Sequence, residues 1–187
     1  MLDHLNEEMR VFIARQEMVF VSTADSNGEC DGSLRCGEPG FVRVLDDHRL
    51  VYPEYRGNGV MASLGNISMN GHIGMFFADF FVSTVGLHIN GKASIVENED
   101  LLARPGLPDE LLGDLEIPGG RAPERWVEVE VEEAYIHCSK HIPLLKKLDK
   151  EVDWGIDDEV KKGGDFFEAK KTPSPWKGRP AFDDDAG

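Results

Sequence analysis

The chain has 187 residues, which suits one compact core and leaves little room for two. Hydrophobic residues make up 41% and charged residues 29%, the texture of a globular protein, and the net charge of −15 at pH 7 repels nucleic-acid phosphates and anionic lipid. No apolar run approaches the roughly 18–20 residues that span a bilayer, Met1 to Glu17 lacks an export signal, and three cysteines make no disulfide framework, so a cytoplasmic protein with no nucleic-acid or membrane partner is expected.

Leu5, Met9, Phe12 and Ile13 recur at helical spacing behind Asp3, which predicts an amphipathic helix over Leu2–Gln16 with Asp3 as its N-cap. Val19–Ala24 is a short apolar, β-branched run that stops at Asp25-Ser26-Asn27-Gly28, a hairpin signal. Phe41–Leu45 and Leu50–Tyr52 flank Asp46-Asp47-His48 and read as a second hairpin, ended by Pro53. Val60, Met61, Leu64 and Ile67 predict a short helix over Val60–Met69, stopped by Asn70-Gly71. Ile73–Ala78 and Val85–Val96 are further strands, with Asn90-Gly91 marking a bulge or a turn inside the second. The Pro- and Gly-rich stretch Arg104–Pro123 reads as a loop. Trp126–Val131 then alternates, with Val127, Val129 and Val131 on one face and Glu128 and Glu130 on the other, so this strand has one wet face.

Hairpin-connected strands with helices only at the flanks predict a mainly β fold, an antiparallel barrel or curled sheet rather than a parallel α/β one. Residues 1–148 make up that domain. Residues 149–187 form a charged tail or arm, rich in Gly and Pro, whose Trp154, Phe166, Phe167 and Trp176 suit packing across a neighbouring subunit.

Between Tyr55 and Val96 the only acidic residue is Asp79, so this stretch escapes the acidity of the rest. At its start Tyr55-Arg56-Gly57-Asn58-Gly59 leads into the predicted helix. A Gly-flanked loop feeding a helix offers backbone N–H groups and a positive dipole end to an anion, and Arg56 adds a bidentate charge. The same residues also describe an ordinary glycine-rich turn with a solvated arginine.

Four runs in order, Gly40–Asp46, Leu50–Asn58, Ser63–Ile67 and His88–Ala93, together with Val19–Asp25 and Tyr135–Lys140, resemble the pyridoxamine 5′-phosphate oxidase-like family of flavin split-barrel proteins. The resemblance spans roughly Val19 to Lys140. It implies an antiparallel split β-barrel that forms a homodimer and holds FMN in clefts between subunits. Carried residue by residue, Phe41, Val42, Arg43 and Val44 would lie along the flavin, with Arg43 reaching toward the phosphate. Tyr52, Pro53 and Glu54 would lie beside the isoalloxazine ring, and Arg56, Gly57 and Asn58 would hold the phosphate. Asn58 stands where the family often has a lysine, which lowers the charge but keeps a donor. Ser63 is a further donor or a plain helix serine. The arginine–glutamine pair and the terminal Arg-Leu-x-Pro motif of the true oxidase are absent, which speaks against vitamin B6 oxidation.

His137-Cys138-Ser139-Lys140-His141 has metal-binding composition, but neighbours on a strand point to opposite faces, so no metal site is expected. The segment either lines the cofactor cleft, with Lys140 as an anion partner, or is an ordinary strand end. Cys30 and Cys36 match no redox or zinc spacing and read as unpaired. Two functions follow: an FMN-dependent oxidoreductase with a small-molecule substrate or electron donor, its catalytic residues unassigned, or a non-catalytic flavin- or heme-binding carrier or sensor on the same fold.

Overall fold

In the computed structural model, which describes residues 1–56, 61–115, 123–150, 158, 160–161, 163–164 and 166–168, the opening helix is shorter than its apolar spacing suggests. It is α1, Glu7–Ile13, and its N-cap is Asn6, whose side chain accepts from the Met9 N–H at 2.9 Å. Asp3 does not cap it. Leu2 exchanges backbone hydrogen bonds with Ala134, at 2.9 and 2.8 Å, and the chain bends at Asp3 and His4 before the helix begins.

The first hairpin joins β1, Met18–Ala24, to β2, Cys30–Cys36, through a turn in which Asp25 accepts from the N–H groups of Asn27 and Glu29. The second joins β3, Arg43–Val44, to β4, Arg49–Glu54. Pro53 does not end β4, for it pairs with Trp126. Since β3 spans only two residues, β4 beyond Val51 lacks a strand partner on that side among the described residues, where a residue without an N–H is tolerated. Helix α2 is Ala62–Met69, preceded by Met61 at φ 49°, and Val60 lies outside the described residues. There follow β5, His72–Ala78, β6, Gly86–Val96, α3, Asn98–Leu102, α4, Asp109–Leu115, β7, Arg125–His137, and a 3-10 turn at Ser139–His141. The stretch read as a loop thus contains α4, a 7-residue helix too short to show an apolar period.

All seven strands form one antiparallel sheet in the order β2-β1-β5-β6-β7-β4-β3. Its inner face gathers Val19, Val21, Met75, Phe77, Ile89, Val127, Val129, Leu50 and Tyr52 with Phe12 and Ile13 of α1 into the main core. Each such side chain contributes about 1.5–3 kcal/mol by leaving water. A second cluster, Val51, Val96, Leu101, Leu111 and Trp126, lies under α3 and α4, so β4 is buried on both faces.

Asn90-Gly91 marks a bulge. Asn90 lies opposite Glu133 and Gly91 opposite Val131, which makes Glu132 of β7 the extra residue. A Cβ on Gly91 would stand 2.0 Å from the Glu130 carbonyl oxygen, so only glycine fits. Beyond the bulge the inward position shifts to Ala134, and Tyr135 and His137 turn outward.

Contacts divide the chain into two compact units, Met1–Ile156 and Asp157–Gly187. In the second, Asp158 accepts from the N–H groups of Val160 and Lys161, and the Phe166 and Phe167 rings meet edge to face. Among the described residues no helix is long and apolar enough to cross a membrane.

Gly91→Ala should lower stability by about 1–3 kcal/mol, because the β6–β7 backbones must part to admit the methyl group. Gly65→Ala, whose methyl would meet open space within α2, should leave stability unchanged or raise it. Denaturant midpoints of the two variants provide the comparison.

Candidate functional site

β4 sorts the residues nominated from sequence onto two faces. Tyr52 and Glu54 follow Leu50 at alternate positions and face inward, where Phe41 and Val42 are buried and Val44 packs alongside. Arg43 pairs with Val51, so it shares the opposite face with Pro53 and the cluster under α3 and α4.

On the inner side Arg35 Nε donates to Glu54 Oε1 at 2.9 Å, and Arg35 Nη1 donates to Ser33 Oγ at 2.5 Å. The two charged side chains are only 17% and 10% exposed, which makes this a buried pair. Burial pushes the Glu54 carboxyl above the usual carboxylate range, and Arg35 opposes that rise. The neighbouring Tyr52 phenol is pushed up by burial and then by Glu54, and among the described residues its buried Oη has no hydrogen-bond partner. Ser63, at the start of α2, is buried and donates to Asp31 Oδ2 at 3.1 Å. Asp31, Ser33 and Arg35 therefore form a polar inner edge on β2 that sequence reading did not nominate. Their period-two spacing was the available signal, hidden because the strand has no apolar alternation.

On the outer side Arg43 donates from Nε and Nη2 to Asp114 Oδ2 of α4, at 2.9 and 2.8 Å. Burial, then the Asp114 charge, raises the nearby Tyr55 phenol. Arg56 is half exposed, with Nη1 3.8 Å from Glu124 Oε1. Gly57 and Asn58 lie outside the described residues. Lys140 is not brought to this group: Glu54 pairs with Arg125 at one end of β7, while Lys140 follows His137 at the other, a 13-residue strand of about 40 Å.

The donor chemistry fits an anionic, hydrogen-bonding cofactor. Three guanidinium groups stand in these segments: Arg35 on the inner face with the Tyr52 phenol, Arg43 on the outer face, and Arg56 just beyond the end of β4. Each faces a carboxylate, Glu54, Asp114 or Glu124, which an incoming phosphate must displace or share.

At the far end of the sheet His88 Nε2 lies 2.8 Å from His137 Nδ1, so one ring offers an unprotonated nitrogen to the N–H of the other. Burial, then His137, lowers the His88 pKa. All three cysteines are free, Cys30 and Cys36 lying at opposite ends of β2. Among the described residues no three His, Cys, Asp or Glu side chains converge as a metal-binding group.

A family model described as pyridoxamine 5′-phosphate oxidase matches residues 5–138, from the start of α1 to the end of β7. The chain belongs to the pyridoxamine 5′-phosphate oxidase family. Among solved structures, Group A Streptococcus HupZ matches at 22% identity with a TM-score of 0.51, covering 71% of this chain and 93% of that one. A Lactobacillus delbrueckii protein with a provisional assignment as a pyridoxamine 5′-phosphate oxidase matches at 22% identity and a TM-score of 0.51, covering 72% of this chain and 95% of that one. At this identity the likeness is one of fold, and the fold is the antiparallel split β-barrel. No curated protein matches the sequence.

Arg35→Met should cost about 3–5 kcal/mol in urea unfolding, since it strands the Glu54 carboxylate in the interior. Adding Glu54→Leu should recover most of the loss.

The His88 shift also has a pH signature. Because the folded state favours its neutral form, this contribution to stability is whole above the ordinary histidine value and is lost as pH falls through the lower folded value. NMR titration should place the His88 midpoint below an ordinary histidine, and His137→Gln should move it back up.

Proposed function

We propose that the protein is an FMN-binding flavoprotein, an oxidoreductase that takes a small-molecule substrate or electron donor into a cleft shared by two copies of the chain. The observation that carries this reading is the family match over residues 5–138, which includes the β4 end and α2. Bound FMN supplies hydride and single-electron transfer. The chain's own residues bind and orient it. Arg56, with Gly57 and Asn58, would hold the phosphate at the approach to α2, helped by Arg43 and Ser63. Tyr52, Pro53 and Glu54 would stand beside the ring, with Phe41, Val42 and Val44 along it.

The homodimer belongs to the same reading. Lys140 sits at the opposite end of β7 from Glu54, so in a shared cleft it would serve the site of the other copy. Residues 1–148 would be the flavin-binding domain and 149–187 an arm reaching the neighbouring subunit, in a protein working in the cytoplasm.

Heating the purified protein should release FMN, identified by mass spectrometry, and a reduced nicotinamide added without oxygen should bleach its absorbance. Release of heme, or no uptake of added FMN, would overturn the cofactor assignment. A flavin that binds but never bleaches with any donor would make the protein a carrier or sensor. Arg56→Ala should lose about 1.5–3 kcal/mol of FMN affinity, and riboflavin, which lacks the phosphate, should bind the variant and the parent alike. Equal weakening of both ligands would move the phosphate away from Arg56.

A further inference from the structure

Residues 97–115, between β6 and β7, carry six carboxylates, Glu97, Glu99, Asp100, Asp109, Glu110 and Asp114, against one cation, Arg104. In a chain of net charge −15 such a stretch is repelled by its surroundings unless particular cations hold it. Its first part is held well. Leu101 of α3 is fully buried, Arg104 Nη1 donates to Glu128 of β7, and Asn98 Nδ2 donates to the Pro123 carbonyl at 3.0 Å. The path then turns at Gly106, φ 77°, and enters α4 at Asp109.

Helix α4 has less to hold it. Among its described side chains only Leu111 is fully buried, and a helix of 7 residues is not stable by itself. Of its carboxylates, Asp109, Glu110 and Asp114, only Asp114 meets a cation among the described residues. That cation is Arg43, whose Nε and Nη2 both donate to the same oxygen, Oδ2, at 2.9 and 2.8 Å. Two donors side by side are matched best by two acceptor oxygens, so this one-oxygen contact leaves room for a better partner. A phosphate monoester offers three oxygens and up to two charges where Asp114 offers one charge. The pair is open to such a ligand, its side chains being 20% and 23% exposed. It also lies where the phosphate is expected, because Tyr55, next in sequence to Arg56, is close enough to feel both charges.

We propose that α4 is a latch: Asp114 occupies the Arg43 guanidinium when no cofactor is bound, and the FMN phosphate takes its place and frees the helix. The inference rests on the FMN reading above and adds how the phosphate seat is closed and opened. Opening exposes Leu111 and breaks one ion pair. Against that cost, it moves three carboxylates away from a strongly acidic chain, and the phosphate restores the charge pairing of Arg43. Gly106 is the pivot between the anchored α3 and the latch, since its surroundings are open and a Cβ there would meet nothing within 4 Å. Riboflavin, which has no phosphate, leaves the latch shut.

Hydrogen exchange of the full chain, read by mass spectrometry on peptides covering residues 109–115, tests this together with FMN and riboflavin titrations. Saturating FMN should speed exchange in α4 by about tenfold or more, and riboflavin should leave it unchanged. Asp114→Asn keeps the size of the side chain and removes its charge. In that variant α4 should exchange fast without ligand, FMN should bind about tenfold tighter than to the parent, and riboflavin should bind both alike. Glu110→Gln makes the same change of charge on the exposed side of the same helix and should alter FMN binding by less than about twofold. Equal tightening by Glu110→Gln would assign the gain to net charge and overturn the latch. FMN that binds the parent while α4 stays protected, or that binds Asp114→Asn no tighter, would overturn the latch and leave the cofactor reading standing. Uptake of FMN by Asp114→Asn alone would support a latch held shut in the parent, whereas no uptake by either would overturn both readings. Circular dichroism checks the fold of each variant, and if Asp114→Asn does not fold, the exchange of the parent with FMN decides.

Discussion

The close approach of β6 and β7 at Gly91 is the constraint on which the two faces of the sheet depend. With no Cβ at Gly91, β7 accommodates one extra residue, Glu132, and its inward alternation changes phase. Before the bulge, Val127, Val129 and Val131 seal the core beneath β4, whose end carries Glu54. After it, Ala134 takes the inward place, and Tyr135 and His137 join Phe76 and His88 on the outer face. An unbulged strand would keep odd-numbered residues inside throughout, driving Tyr135 into the core and removing the His88–His137 contact.

β4 is the second organising element because both of its faces are buried. A strand in that position cannot leave a charge unpaired, and an arginine on each side of it is matched to a carboxylate: Arg35 to Glu54 inside, Arg43 to Asp114 outside. These pairs keep guanidinium groups beside β4 in a strongly acidic chain. They also set the competition that an entering anion would meet, since it would have to do better than a carboxylate already within 3 Å. Specificity for a phosphate over a weaker anion would then come from the geometry of the exchange rather than from a surplus of positive charge.

Much of the fold could be read from local order. Asp25–Gly28 and Asp46–His48 mark the hairpins, the spacing of Leu64 and Ile67 marks α2, and the valine alternation of β7 marks a half-buried strand. Those signals work because turns, helix periods and strand alternation depend on residues within four or five positions of each other. The site was legible only in part, since Tyr52, Glu54 and Ser63 belong to such runs but their partners do not.

Chain separation explains what stayed hidden. The pairing of Leu2 with Ala134 ties the first residues to β7 and keeps them out of the helix, and Pro53 remains in a strand because β3 is too short to require its N–H. Arg35 meets Glu54 across 19 residues and Arg43 meets Asp114 across 71, contacts fixed by strand order and register. By itself the sequence determined the antiparallel β character, the hairpins and the acidic surface with its one basic island. Only the tertiary structure decided which face each arginine occupies, which carboxylate it meets, and that Leu34, Phe20, Phe76, His88 and Tyr135 stand side by side, because those facts depend on the register between strands distant in sequence.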